Sequence, residues 1–181
     1  MEKKSVLAKG KKFVQFISKE QINQINSELA ERINRDYAGK SVLFIVVMKG
    51  AMFFASDLLR KITIDCQIDY ISAKSYLNQM ETTGLVEITK PKASLENRDV
   101  ILIEDLIDSG TTMSKLLPEM QKLNPASLEV VTFLTKPENM KYSLPLKYVG
   151  IEVPNLFVIG YGFDYAEIGR NLPDIYILSN E

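Results

Sequence analysis

Apolar positions along the chain follow two patterns, one typical of helices and one typical of buried strands. The clearest helical pattern starts at a capping-box sequence, Ser18 with Gln21, and runs to Gly39. Its apolar residues are Ile22, Ile25, Leu29 and Ile33. It predicts an amphipathic helix of about five turns. Two shorter helical patterns cover 51–60 and 111–123, and Pro118 in the second predicts a kink or a restart.

Strand-like apolar runs alternate with these helices. They cover residues 42–48, 62–71, 99–103, 127–134 and 156–161. Their apolarity is nearly continuous, which is typical of strands buried on both faces, so we expect an α/β fold with a mainly parallel central sheet flanked by helices. Ligands in such folds bind at the carboxyl ends of the strands. The polar stretch 75–89 predicts a mobile lid loop with a possible short hairpin.

Composition narrows the possible chemistry. At 181 residues the chain predicts a single domain, residues 1–181, and its 22 basic and 23 acidic residues argue against nucleic acid and anionic membranes as partners. There is no histidine, and Cys66 is the only cysteine, so acid-base chemistry would fall to Asp, Glu, Lys or Tyr. No apolar run can span a bilayer and no signal-peptide core is visible, so a cytoplasmic protein is expected.

The stretch "DVILIEDLIDSGTTM", residues 99–113, ends an apolar strand in three carboxylates and a turn of small hydroxyl residues. Gly110, the hydroxyls of Ser109, Thr111 and Thr112, and the free amides of the next helix would form a cradle for a phosphate monoester. Glu104 and Asp105, expected at the end of the strand, suit sugar hydroxyls or hydrated magnesium. An acidic helix cap with an ordinary turn is the simpler alternative. The spacing fits neither a Walker loop nor a dinucleotide-binding loop.

This stretch resembles the phosphoribosyl pyrophosphate (PRPP) binding motif of the type I phosphoribosyltransferases. Four further stretches, "MKGAMFF", "KSYLNQMETTG", "FLTKPENM" and "LFVIGYGFDYAEIGRNLPD", resemble motifs of the hypoxanthine-guanine phosphoribosyltransferases in order and spacing. The resemblance covers about residues 10–179. It implies the type I phosphoribosyltransferase fold, with a small hood formed by the N- and C-terminal segments and a lid at about 75–89. It also implies a homodimer or homotetramer.

The implied reaction is magnesium-dependent purine salvage. A 6-oxopurine, hypoxanthine or guanine, displaces pyrophosphate from PRPP to give IMP or GMP. Asp108 matches the residue that transfers the proton at purine N7, and substrate shielding could raise its pKa toward working pH. The other matches on this strand are Glu104 and Asp105, which bind the ribose hydroxyls directly or through Mg²⁺, and residues 108–112, which bind the 5′-phosphate.

The remaining motifs supply the other substrate contacts. Lys49 and Gly50 match a loop that contacts pyrophosphate, often after a cis peptide bond, and Arg170 matches a second pyrophosphate contact. The other matches are Ser75 and Tyr76 at the start of the lid, Lys136 as the donor to purine O6, Phe157 stacked on the base, Val158 at the purine edge, and Asp164 near a second Mg²⁺. For Phe157 alone core packing is the simpler interpretation, and for Lys49 and Arg170 surface charges are.

Three positions depart from the family pattern: Ser109 and Thr82, which keep their hydroxyls, and Phe163, which could crowd the purine 2-position and disfavour guanine or xanthine. A PRPP-sensing regulator on the same fold and a sister transferase preferring xanthine stay open as alternatives. A regulator should carry a basic face or segment, and the acidic balance and the presence of Asp108, Lys136 and Phe157 argue against it.

Overall fold

The computed structural model describes residues 4–75 and 86–179. In this part of the chain the helices are α1 (Lys19–Asp36), α2 (Met52–Leu59), α3 (Thr111–Gln121) and a 3-10 turn, Pro137–Asn139. The strands are β1 (Ser5–Ala8), β2 (Lys11–Ile17), β3 (Val42–Met48), β4 (Cys66–Ser75), β5 (Val86–Ile88), β6 (Asp99–Ile107), β7 (Ser127–Thr135), β8 (Tyr148–Glu152), β9 (Val158–Ile159) and β10 (Ile175–Leu178).

The larger sheet has the strand order β5-β4-β3-β6-β7-β8. The pairs β4-β3, β3-β6, β6-β7 and β7-β8 are parallel, and β5 joins the edge antiparallel to β4. Helices α1 and α2 pack on one face of this sheet and α3 packs on the other, each against its own apolar cluster. The predicted α/β fold with a mainly parallel sheet is therefore confirmed.

Helix α1 begins as its sequence predicts. The Ser18 side chain accepts a hydrogen bond from the Gln21 amide at 3.3 Å, and the Gln21 side chain accepts one from the Ser18 amide at 2.9 Å. These two bonds satisfy amides that a helix start leaves free. Buried Ile22, Leu29 and Ile33 then fix α1 on the sheet.

Several predicted element boundaries were wrong. Strand β6 extends to Ile107, so Glu104 and Asp105 lie inside the strand and not after it. The run predicted at 62–71 is strand only from Cys66, and that at 156–161 only at Val158–Ile159. Helix α3 continues through Pro118 without a restart.

A second, smaller sheet combines the two ends of the chain, in the order β1-β2-β10-β9. All its pairs are antiparallel. Buried Phe13, Ile159 and Tyr176 form its apolar cluster. This sheet places β9 and the residues after it, 160–170, over the carboxyl ends of β3 and β6. Across the described ranges, no helix is long and apolar enough to span a membrane.

Candidate active site

The turn between β6 and α3 encloses a small cavity of about 120 Å³, lined by Glu104 and residues 106–113. Gly110 takes a left-handed conformation with φ of 77° and forms the cap of α3. Because Gly110 has no side chain, no side chain at the cap position covers the first amides of the helix. The Ser109 and Thr111 hydroxyls lie 2.9 Å apart at the same place. The cavity thus has the donors and the size for one phosphate group.

Two adjacent carboxylates, Glu104 and Asp105, lie on β6 just before this turn. Oε2 of Glu104 is buried and has no hydrogen-bond partner among the described residues. Burial raises the pKa of Glu104 well above its ordinary value, and the charge of Asp105 raises it further. Burial also raises the pKa of Asp105, against hydrogen bonds from the backbone and the charge of Arg170. A cation or a hydroxyl donor at this pair would supply the partner that Oε2 of Glu104 lacks.

Asp108, unlike Glu104, has a side-chain donor on each of its carboxylate oxygens. Its Oδ2 accepts a bond from Nζ of Lys136 at 3.0 Å, and its Oδ1 accepts one from Nδ2 of Asn139 at 2.7 Å. The ammonium group is nearly buried, whereas the side chain of Asp108 is 44% exposed. Burial alone would raise the pKa of Asp108, but the bonds from Asn139 and Lys136 and the lysine charge together lower it.

The lowered pKa bears on the expected role of Asp108. We expected substrate shielding to raise this pKa toward working pH. In the structure the pKa of Asp108 is lowered instead, because the two donors outweigh burial. Asp108 is therefore ionised at neutral pH and is ready to accept a proton.

A cleft of about 340 Å³ opens beside Asp108 and Lys136. Leu106 and Asp108 line this cleft and also the phosphate-sized cavity. Phe157 is about half exposed, and its ring packs at 5.7 Å from Tyr165 and 6.3 Å from Phe13. The other lining residues are Asp105, Lys136, Val158, Phe163, Asp164 and Arg170. A flat base could enter between Phe157 and the buried lysine.

Residues 160–170 link this cleft to the end of β3. Arg170 donates to the Gly162 carbonyl at 2.8 Å and pairs with Asp164 at 2.6 Å. Gly162, at φ of 101°, lies so close to the Gly50 carbonyl that a Cβ atom would overlap it. Nζ of Lys49 lies 3.3 Å from a carboxylate oxygen of Glu167.

The end of β3 itself is packed tightly against β6. The peptide bond between Met48 and Lys49 is cis, as the resemblance implies. A Cβ atom at Gly50 would overlap the Asp105 carboxylate, so a larger residue here would displace that side chain. The structure thus places Gly50, with Lys49 before it in the chain, against Asp105, which lines the cleft.

Two predicted residues are placed only in part or not at all. The backbone of Ser75 ends β4 and pairs with Val86, which gives the short antiparallel hairpin expected in this region. Tyr76 and Thr82 lie outside the described residues, as does most of the predicted lid at 75–89.

Asn139 and Glu167 are among the side chains that contact predicted site residues but to which the sequence had not pointed. Asn139 bonds to Asp108, and Glu167 pairs with both Lys49 and Arg170. Asn139 lies in "TKPENM", three positions after Lys136, where a 3-10 turn brings the two side chains to the same side. That spacing is the signal that could have identified Asn139.

Comparison with known proteins agrees with this geometry. Residues 17–166 match the family model described as the phosphoribosyl transferase domain. A hypoxanthine-guanine phosphoribosyltransferase from Staphylococcus aureus is 40% identical over 167 residues, which are 92% of this chain and 93% of that protein.

Solved structures give the same result. A hypoxanthine-guanine phosphoribosyltransferase from Bacillus anthracis superposes with a TM-score of 0.86 at 43% identity, over 91% of this chain and 98% of that one. A hypoxanthine phosphoribosyltransferase from Staphylococcus aureus gives 0.86 at 39% identity, over 91% and 90%. The chain therefore belongs to the phosphoribosyltransferase family and, within it, to the group of the hypoxanthine-guanine phosphoribosyltransferases.

Proposed function

We propose that this chain transfers the 5-phosphoribosyl group of PRPP to N9 of hypoxanthine, and of guanine as a second substrate, in purine salvage. The products are IMP or GMP and pyrophosphate. The observation that carries the proposal is the contact between Asp108 and buried Lys136 at 3.0 Å, in a cleft that adjoins a phosphate-sized cavity. Membership of the family supports the same reaction.

The proposed chemistry assigns the proton to Asp108. The C1′–oxygen bond to pyrophosphate breaks, the N9–C1′ bond forms, and the proton on purine N7 passes to Asp108. An ionised carboxylate is required for this direction of transfer, and the donors on Asp108 keep it ionised. The alternative of an acidic helix cap is wrong, because Gly110 is the cap residue of α3 and the two oxygens of Asp108 accept from Lys136 and Asn139 instead.

The proposed base recognition depends on Lys136 and the aromatic cleft. A lysine ammonium can only donate hydrogen bonds, so it suits a purine O6 and is a poor partner for the 6-amino group of adenine. Phe157 offers a half-exposed ring for stacking, and the backbone of Val158 lies at the purine edge. Phe163 is buried in the same cleft and would limit the space at the purine 2-position.

Magnesium fits the Glu104–Asp105 pair, because a buried carboxylate oxygen there has no partner and both pKa values are raised. No group of three or more Asp, Glu, His or Cys side chains within residues 4–75 and 86–179 could hold a metal. Bound Mg²⁺ would thus complete its coordination with substrate oxygens and water, and it would neutralise the developing charge on pyrophosphate. Asp164, paired with Arg170, is proposed to lie near a second Mg²⁺.

Pyrophosphate is proposed to bind at the corner formed by Lys49, Gly50 and Arg170. Lys49 is paired with Glu167, and Arg170 is paired with Asp164 and Glu167. Pyrophosphate would therefore compete with these two carboxylates for the lysine and the arginine. Ser109 to Thr112 are proposed to bind the 5′-phosphate. Ser75 and Tyr76 are proposed to start the lid that excludes water from the reaction.

A panel of bases assayed with saturating PRPP and Mg²⁺ tests this function. We expect product with hypoxanthine, less with guanine, and none with adenine. Xanthine as the best substrate would instead support the sister-transferase alternative. PRPP binding without turnover of any base would support a regulator, although the ionised Asp108 beside Lys136 favours the enzyme. The homodimer or homotetramer, the single-domain division and the cytoplasmic location stay predictions.

A further inference from the structure

Residues 136–141 form backbone hydrogen bonds with the residues on both sides of Asp108. The Lys136 amide donates to the Ile107 carbonyl at 3.1 Å, and the Lys141 amide donates to the Ser109 carbonyl at 3.0 Å. One residue before Asp108 and one residue after it are thus tied to the same short segment. The position of that segment fixes the position of the Asp108 backbone.

The segment is itself closed by its own turn. Pro137 starts it, and the Asn139 amide donates to the Lys136 carbonyl at 3.0 Å. This turn aims the Lys136 and Asn139 side chains at the two different oxygens of Asp108. The shorter of the two contacts, 2.7 Å, is made by Asn139 and not by the lysine.

We propose that Asn139 is a positioning residue for phosphoribosyl transfer, holding Asp108 through Oδ1 so that Oδ2 faces purine N7 while Lys136 donates to O6. This inference rests on the proposed function. It follows from the contacts of Asp108, because Asn139 holds Oδ1, whereas Oδ2 is bonded to Lys136, the residue that is proposed to donate to O6. When the base draws Lys136 toward O6, the bond from Asn139 is the contact that still orients the carboxylate.

An amide is well suited to this role. It donates to Oδ1 without carrying charge, and it does not titrate, so it neither blocks Oδ2 nor competes for the transferred proton. In the step itself the N7–H bond breaks, the proton goes to Oδ2, and the electron pair remains in the purine as N9 bonds to C1′. Oδ1 keeps its bond to Asn139 throughout.

Other charged groups around Asp108 limit how its protonation can be interpreted. Lys136 is in direct contact, while Asp105 and the paired Asp164 and Arg170 line the same cleft. Asn139→Ala adds and removes no charged group among these. A change in the pH profile of that variant therefore reports the lost hydrogen bond, whereas Asn139→Asp adds a charge as well.

The test compares Asn139→Ala and Asn139→Asp with the wild type, and Glu138→Gln serves as the matched control from the same turn. Glu138 is exposed and neighbours Asn139, so its variant reports nonspecific effects of changing this turn. For each protein, kcat, KM for PRPP and the pH dependence of kcat/KM with hypoxanthine are measured. The melting temperature checks folding, and ¹³C NMR of the carboxyl groups follows the titration of Asp108 directly.

We expect Asn139→Ala to lower kcat roughly tenfold, about 1.4 kcal/mol in the barrier, with KM for PRPP nearly unchanged. The acid limb of kcat/KM should move to higher pH, because a bond that lowers the Asp108 pKa is lost. Asn139→Asp should move it further, since a second carboxylate faces the first. Glu138→Gln should match the wild type in all three measurements.

Three outcomes separate the possible failures. If the wild type is active and both Asn139 variants keep its kcat, its pH profile and its Asp108 titration, the positioning role is refuted and the proposed function stands. A folded wild type that forms no product with any purine base refutes the proposed function, and the role of Asn139 falls with it. Equal losses in kcat and in PRPP affinity would show that Asn139 only maintains the turn.

Discussion

Replacing Glu104 by glutamine should stabilise the protein at neutral pH while weakening its binding of substrate. Glu104 has a buried oxygen without a partner and a pKa well above its ordinary value of 4.5. A carboxyl group whose pKa is raised by folding stabilises the folded state at low pH, where it is protonated. That contribution is lost as the pH rises through the raised pKa. Glutamine keeps the size of the side chain but carries no charge beside Asp105.

The expected gain follows from removing one charge of a buried pair. Each unit by which folding raises the pKa of Glu104 costs the ionised folded protein about 1.4 kcal/mol, and glutamine does not carry that cost. We take about 1–3 kcal/mol here, because the new amide must itself find partners. For a chain of this length that corresponds to a rise in Tm of roughly 3–10 °C at pH 7. Near pH 4 both side chains are neutral, so the two proteins should melt at almost the same temperature.

Thermal unfolding followed by circular dichroism between pH 4 and 8, with a chelator present, measures this difference. The variant with Glu138→Gln, at an exposed position, serves as the control for loss of one acidic residue. Magnesium with PRPP should then raise the Tm of the wild type more than that of Glu104→Gln. A Glu104→Gln protein that is less stable at pH 7, or a difference that does not change with pH, would show that Glu104 is not a strained buried acid.

Three further substitutions test separate parts of the site. Asp108→Asn should lower kcat by roughly 10²-fold with little change in PRPP binding, since the amide cannot accept the N7 proton; equal losses in both, by steady-state kinetics and calorimetry, would remove the proton-transfer role. Lys136→Ala should raise KM for hypoxanthine about tenfold or more while PRPP binding survives; an unchanged KM would contradict the bond to O6. Phe163→Leu should raise kcat/KM for guanine relative to hypoxanthine, and an unchanged ratio would show that its ring does not reach the 2-position.

The central sheet was predictable because its strands are buried on both faces. The run 42–48 matches the bounds of β3, in which Val42, Leu43, Phe44 and Ile45 are fully buried. Of the small sheet, only β9 lies in a predicted strand run, 156–161. Its β2 reads "KKFVQFI", with exposed lysines and half-buried positions, and Leu7 in β1 is 78% exposed. Strands with one open face and short runs give a weak apolar signal.

Glu104 and Asp105 are also the reason why the apolar pattern predicted too short a strand β6. Glu104 and Asp105 interrupt the apolar run, but backbone pairing with β7 continues past them to Ile107. Burying them there raises their pKa values, which no sequence pattern indicates. The contact between Asp108 and Lys136, 28 residues apart, could be expected only from the resemblance. For Asn139 the spacing to Lys136 was the only signal, and it is a weak one because an asparagine in a loop most often serves its own turn.

Strands β2 and β10 lie side by side although they come from opposite ends of the chain. Ile17 pairs with Ile175, and the Lys19 amide bonds to Asp174 at 2.7 Å across 155 residues. At 5–20 residues per second a ribosome needs roughly 8–30 s to make that interval. The parallel sheet and its phosphate turn can form in that time, but the contact of Phe13 with Phe157 at the base cleft has to wait. During synthesis, the part of the site that is proposed to select the purine is completed last.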